Sequence, residues 1–157
     1  MTKGDYTIQQ LAGTDTIPFN LLLLADETRE AIEKYIYQSS IYCLYSLEVP
    51  EPIAVFALYK INDKTVEIKN IAVAESYQGK GLGSFLITAI NTIAAMERYK
   101  EIIVGTADAG TREIHFYERN GFKRYGTRDN FYTDNYPEPI IENGIRLKDM
   151  IMLKIVL

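Results

Sequence analysis

Along this chain the apolar positions change period, and the changes divide it into elements. Leu82, Phe85, Leu86, Ala89, Ile90, Ile93 and Ala94 recur at the spacing of one helical face, which predicts an amphipathic helix over 82–97. Ile53-Ala54-Val55-Phe56-Ala57-Leu58-Tyr59 is apolar on both faces, as a central strand is, and 65–73 returns from the turn Asn62-Asp63-Lys64 as its hairpin partner. A strand over 41–47 precedes them across the proline-rich turn Glu48-Val49-Pro50-Glu51-Pro52. Tyr6 to Leu11 reads as a first strand, and Pro18 opens a short helical stretch. Asp26 is placed to cap a second helix over 27–38, with Ile32, Tyr35 and Ile36 on its apolar stripe. Further on, 101–107 is a strand and 112–120 a helix closed by a left-handed cap at Asn120-Gly121, with Phe122 turning back to the core. Residues 123–133 and 145–157 read as two final strands, separated by Tyr136-Pro137-Glu138-Pro139 and the turn Asn143-Gly144. The predicted order is β-αα-β-β-β-α-β-α-β-β, an α/β (α+β) fold with a mixed sheet.

The length of 157 residues predicts one domain spanning 1–157, large enough for its own core. With 47% hydrophobic and 24% charged residues the composition is that of an ordinary globular chain. A net charge of −4 argues against a nucleic-acid partner; it suits either simple solubility or attraction of cationic substrates. Cys43 is the single cysteine, so no internal disulfide forms, and its apolar run predicts a buried, inert thiol in a reducing compartment. With one cysteine and one histidine (His115) the chain lacks the usual zinc ligands, and no metal is expected. The N-terminus has no apolar signal core, and no apolar run reaches membrane-spanning length. A cytoplasmic protein without membrane attachment is the expectation.

The densest chemistry lies in Gln78-Gly79-Lys80-Gly81-Leu82-Gly83-Ser84, between the strand 65–73 and the helix 82–97. Glycines at a helix mouth let a bulky anion approach free backbone N–H groups at the positive end of the helix dipole; a bare tight turn is the alternative. The P-loop pattern fails here, because Gly79-Lys80 is followed by Gly81 and not by a hydroxyl residue. The dinucleotide fingerprint also fails: counted from Gly79, its third glycine falls on Ser84, and Glu101 begins its strand where an acidic residue should end one.

Gln78-x-x-Gly81-x-Gly83 does match the pyrophosphate-binding pattern Q/R-x-x-G-x-G/A, and the chain resembles the GNAT superfamily of N-acetyltransferases. Ile71-Ala72-Val73 precedes the loop as the family's fourth strand does. The segment from Glu113 to Phe122 is similar to the family's A-x-x-x-Y-x-x-x-G-F block. The resemblance runs over roughly residues 5 to 157 and implies a mostly antiparallel sheet flanked by helices. It further implies transfer of an acetyl group from acetyl-CoA to a primary amine by direct attack on the thioester. A non-catalytic acyl-CoA sensor on the same fold is the alternative.

The resemblance assigns roles residue by residue. The loop Gln78, Gly79, Lys80, Gly81, Leu82, Gly83 and Ser84 would hold the pyrophosphate. The backbone edge of Ile71, Ala72 and Val73 would pair with the pantetheine arm and polarise the acetyl carbonyl. Tyr117 would protonate the leaving thiolate, although an aromatic at helical spacing is often simply core. Glu67 is the candidate base, or else the partner of Lys69 in a solvated pair; alternation puts Glu67, Lys69, Ile71 and Val73 on one face. Ribosomal-protein alanine acetyltransferases carry a glutamate where Gly105 stands, and the family's following asparagine falls on Gly110, with Asp108 two residues earlier. Arg112, His115 and Arg119 share a helical stripe that is either a solvated basic face or a phosphate contact, and His115 is given no catalytic role. Tyr35, Tyr37, Tyr132 and Tyr136 lie where the family builds its acceptor pocket, and their rings would suit a cationic amine. The expected partner is a small-molecule or peptide amine, and a strand exposed near the C-terminus would suit a homodimer.

Overall fold

The computed structural model describes residues 2–157. Its centre is an eight-stranded sheet in the order β1-β2-β3-β4-β5-β6-β10-β7, built from β1 (Thr2–Lys3), β2 (Tyr6–Gln10), β3 (Ser40–Tyr45), β4 (Ala54–Lys60), β5 (Thr65–Val73), β6 (Glu101–Ala107), β7 (Lys123–Arg128) and β10 (Met150–Val156). Neighbouring strands run antiparallel except β5 and β6, which are parallel because helix α3 (Leu82–Met96) carries the chain back between them. The α3 stripe read from the sequence is the buried one: Leu82, Leu86, Ala89, Ile90 and Ala94 enter the core, each large apolar side chain contributing about 1.5–3 kcal/mol on burial.

The sheet divides two layers of apolar packing. Helices α3 and α4 (Thr111–Arg119) cover one face with Leu86, Ile90, Ile114, Tyr117 and Phe122, against Phe56, Val66 and Ile68. The other face holds α1 (Phe19–Leu22) and α2 (Arg29–Glu33), whose Leu21, Leu22 and Ile32 pack on Cys43, Val55, Ala57 and Ala72. Cys43 is fully buried there, and burial pushes its thiol pKa up to about 11. Gly121, with φ +93°, closes α4, and Phe122 N–H donates to the Tyr117 carbonyl at 3.0 Å as the predicted cap requires.

Four expectations give way. The helix over 27–38 is the shorter α2, followed by a 3-10 turn at Ile36–Gln38, and its cap is Thr28, whose Oγ1 accepts from Ala31 N–H at 3.1 Å. Asp26 is thereby free for other work. The strand over 123–133 stops at Arg128 and gives way to α5 (Phe131–Asn135), entered through Asn130 at φ 58°. The strand over 145–157 is two pieces: Ile145–Arg146 (β9) turns back on Ile141–Glu142 (β8) as a small hairpin, and the sheet strand begins at Met150.

The fourth correction bears on the site. Ala57 of β4 pairs with Asn70 but Leu58 pairs with Ile68, so Lys69 is an extra residue in β5. This bulge resets the alternation. Val66 and Ile68 share the α3 face with Ile71 and Val73, whereas Asn70 and Ala72 face the α1 and α2 layer together with Glu67. The predicted single face of Glu67, Lys69, Ile71 and Val73 does not exist.

Candidate active site

Pairing between the parallel strands β5 and β6 ends at Ile68 and Val104. Beyond it β5 stays with β4 through Val73, and β6 stays with β10 through Ala107, so the two strands part. The bulge at Lys69 sits at the branch point and supplies the extra twist that opens it. Residues 71–73 are left with one backbone edge unpaired. Between the parted strands lies a cleft of about 820 Å³, lined on one side by Ile71, Ala72, Val73 and Gln78 and on the other by Gly105, Thr106 and Ala107.

The glycine loop lies at the outer end of this edge. Gly79 and Gly81 have φ of +74° and +78°, a left-handed geometry that glycine adopts without strain, and Gly81 is the cap of α3. The first-turn amides of α3 have no intrahelical acceptor and point outward at the positive end of the helix. Gln78 ties the loop to the strand, its Nε2 donating to the Val73 carbonyl at 2.8 Å. Gly83 has a second duty: a Cβ there would lie 3.0 Å from the Phe116 ring, so its absence lets α4 close on α3. Lys80 is exposed and its Nζ sits 5.0 Å from the Tyr77 ring centroid. Leu82 points into the core, while Ser84 is exposed on the first turn.

Tyr117 projects from α4 into the same cleft. Its ring is buried edge-on between Phe116 and Phe122, at 5.2 and 5.5 Å, and among the described residues its hydroxyl has no hydrogen-bond partner. Burial first, and the charge of Glu113 second, raise its pKa above the ordinary tyrosine value. The hydroxyl therefore stays protonated at neutral pH and is available to donate.

Glu67 lines the cleft from the other face of β5 and is 3% exposed. It forms no solvated pair. Arg128, at the end of β7, grips it with Nη1 on Oε2 and Nη2 on Oε1, each at 3.2 Å, and Lys69 Nζ lies 3.4 Å from Oε1. Lys69 is itself flanked by the rings of Tyr35 and Tyr59, at 5.9 and 5.6 Å. Nothing in the sequence pointed to Arg128, because its partner is 61 positions away and two strands, β6 and β10, stand between them in the sheet.

The far end of the cleft is built from tyrosines and carboxylates. Tyr35, Tyr132 and Tyr136 line it, and Tyr132 and Tyr136 stack at 5.8 Å. Tyr37 does not join them; it is 58% exposed and donates to Glu33 instead. Asp26 accepts from Tyr136 Oη at 2.6 Å and from Tyr35 Oη at 3.1 Å, and Tyr35 Oη in turn accepts from Asn70 Nδ2 at 3.1 Å. Gly105 stands where a Cβ would run into the Met150 side chain, and Gly110 is the residue before α4. Arg112, His115 and Arg119 are exposed and line no part of the cleft. No helix among the described residues is long and apolar enough to cross a membrane.

Comparison with known proteins gives the same answer as the parted strands and the glycine loop. The model of the acetyltransferase (GNAT) family matches residues 10–122. A GNAT family acetyltransferase from Elizabethkingia anophelis, solved with acetyl-CoA bound, superposes with a TM-score of 0.93 at 39% identity, over 99% of this chain and 100% of that one. The IAA acetyltransferase of Bacillus cereus superposes at a TM-score of 0.88 and 34% identity, over 97% of this chain and 99% of its own. The Bacillus subtilis (strain 168) protein called uncharacterized N-acetyltransferase YvbK is 34% identical over 140 residues, 86% of each chain. A splayed parallel pair, a glycine-capped helix at its mouth and a tyrosine between them are thus found in a chain that belongs to the GNAT family of acetyltransferases.

Proposed function

We propose that the chain transfers the acetyl group of acetyl-CoA to a primary amine bound at the tyrosine-lined end of the cleft. The observation that carries this is the unpaired edge of residues 71–73, which runs from the glycine loop to Tyr117 within one cavity. Acetyl-CoA supplies an activated acetyl thioester, an extended amide-bearing arm and a pyrophosphate. The residues present fit each part: outward amides from Gly79 to Ser84 for the pyrophosphate, and the open β5 edge for the arm and the acetyl carbonyl. The acetyl-CoA-bound state of the Elizabethkingia relative supports the same donor.

Two side chains then move protons. Tyr117 Oη, protonated and without a partner among the described residues, gives its proton to the sulfur as the carbon–sulfur bond breaks. Glu67, held in the cleft by Arg128, takes a proton from the attacking nitrogen, directly or across one water. The exposed C-terminal edge of the sheet at β7 is where a second copy would pair if the protein dimerises.

The test is CoA release from acetyl-CoA with a panel of primary amines, together with acetyl-CoA binding. Binding with turnover of at least one amine supports the reading. Tight acetyl-CoA binding with no turnover would mark a sensor, and no binding would overturn the donor assignment.

A further inference from the structure

Lys69 is a primary amine inside the cleft, and it stands beside the carboxylate assigned to take the acceptor's proton. Among the described residues two lysines line the cleft, Lys34 and Lys69. Lys34 is exposed and donates to the Asn135 carbonyl at 3.4 Å, with no ion pair among the described residues. Lys69 differs on each count. Its side chain is 25% exposed, its Nζ lies 3.4 Å from Glu67 Oε1, and the rings of Tyr35 and Tyr59 flank it.

The bulge puts it there. Lys69 is the extra residue of β5, without a partner on β4, and a bulge re-aims the side chain it carries. It lies two residues before Ile71, where the unpaired edge begins, about 7 Å along the strand. A lysine's flexible four-carbon stem lets Nζ swing from Glu67 towards that edge. Glu67 and Tyr117 line the cleft from opposite faces of the sheet. A thioester on the edge thus has Lys69 with its base on one side and the acid on the other.

Glu67 does not depend on this second cation. Arg128 already contacts both carboxylate oxygens, and Lys69 shares Oε1 with Arg128 Nη2. Neutralising Lys69 therefore leaves the buried carboxylate paired, which is what makes a change there tolerable to the fold.

Resting on the N-acetyltransferase reading above, we propose that Lys69 is a self-acetylation site, its Nζ taking the acetyl group when acetyl-CoA is bound and no acceptor amine is present. The Lys69 ammonium first passes one proton to Glu67, which returns it to water. The neutral nitrogen then bonds to the acetyl carbon, and its second proton leaves by the same route as the carbon–sulfur bond breaks. Tyr117 protonates the thiolate and regains a proton from water. Acetyl-CoA and the Lys69 ammonium thus give N-acetylated Lys69, CoA and one proton. The product keeps Glu67 on Arg128 but removes one positive charge beside Tyr35 and Tyr59, so the acceptor end changes whenever donor accumulates without acceptor.

The test incubates the intact chain with deuterated acetyl-CoA and no added amine. Peptide mass spectrometry maps the labelled lysines, and thermal shift follows acetyl-CoA binding separately. The expected result is label on Lys69 at least about tenfold faster than on Lys34 or the exposed Lys60. The Lys69 rate should fall about 100-fold in Tyr117→Phe and, independently, in Glu67→Gln, because background acetylation of an amine uses neither a positioned acid nor a base. Equal labelling of Lys69 and Lys60, or Lys69 labelling that survives both substitutions, overturns the site as background chemistry. Unlabelled acetyl already on Lys69 of the purified wild type supports the site if both variants lack it, and overturns it if they carry it too. No acetyl on Lys69 of a chain that acetylates an added amine overturns the site and leaves acetyl transfer intact. Binding of acetyl-CoA with neither product overturns the site and marks a sensor. Absence of acetyl-CoA binding instead overturns the donor assignment on which the site rests.

Discussion

Arg128 and Glu67 face each other with paired contacts, Nη1 to Oε2 and Nη2 to Oε1, both at 3.2 Å, joining the outermost strand β7 to the cleft side of β5. The carboxylate is almost wholly buried while the guanidinium is about a third exposed, so the pair anchors a charge that the sheet could not otherwise hold. Removing Arg128 leaves Glu67 with Lys69 alone. Arg128→Ala should cost about 2 kcal/mol, less than a fully buried pair because water reaches the arginine side, and lower Tm by about 4–8 °C. Arg128→Lys should recover part of the Tm but little of the activity, since an ammonium cannot fix both carboxylate oxygens. Differential scanning calorimetry beside the CoA-release rate checks both.

Gly105 is set by packing. A Cβ at this position on β6 would meet the Met150 thioether and come within 3.1 Å of Met152 Sδ, and Met150 also lines the cleft. Gly105→Ala should therefore cost about 1–2 kcal/mol from overpacking and push Met150 into the space the substrates need. A fall in Tm together with a rise in KM is expected. An unchanged Tm would mean that β10 yields more easily than this packing implies. The same collision explains why a glutamate at this position, as some family members carry, has no room here.

Glu142 provides a pH signature. Its folded pKa lies above the ordinary value of 4.5, through burial first and then Glu113 and Glu27. A raised carboxyl pKa means that the folded state holds the proton more tightly than the unfolded chain does. Stability from this group is fully present below about pH 4.5 and is lost as pH rises through the folded pKa. Glu142→Gln should accordingly raise Tm at pH 7 by a small amount and leave it unchanged at pH 4. The matched melting curves at the two pH values are the measurement.

The regular elements were legible because their periodicities are strong. The α3 stripe, the double-faced β4 and the Asn120-Gly121 cap lie where the pattern put them. The errors fall where one residue changes the geometry. An inserted residue at Lys69 cannot be told from regular alternation, since a strand pattern is indifferent to a bulge until its partner is known. Asp26 and Thr28 are both acceptable caps two positions apart, and the choice was settled by tyrosines at 35 and 136 that claim the aspartate. The loop and Tyr117 were readable as a local motif. Arg128 and the Asn70–Tyr35–Asp26 chain were not, because each joins elements that only the folded sheet brings together.

The most direct measurement is CoA release by Tyr117→Phe against wild type, with fold and donor binding measured on the same samples. Among the described residues the Tyr117 hydroxyl has no hydrogen-bond partner, so the variant should keep its Tm and its acetyl-CoA affinity. Loss of the proton donor should lower kcat about 100-fold or more. A variant that binds acetyl-CoA and releases CoA within about twofold of the wild-type rate would contradict the assignment of Tyr117 as the acid.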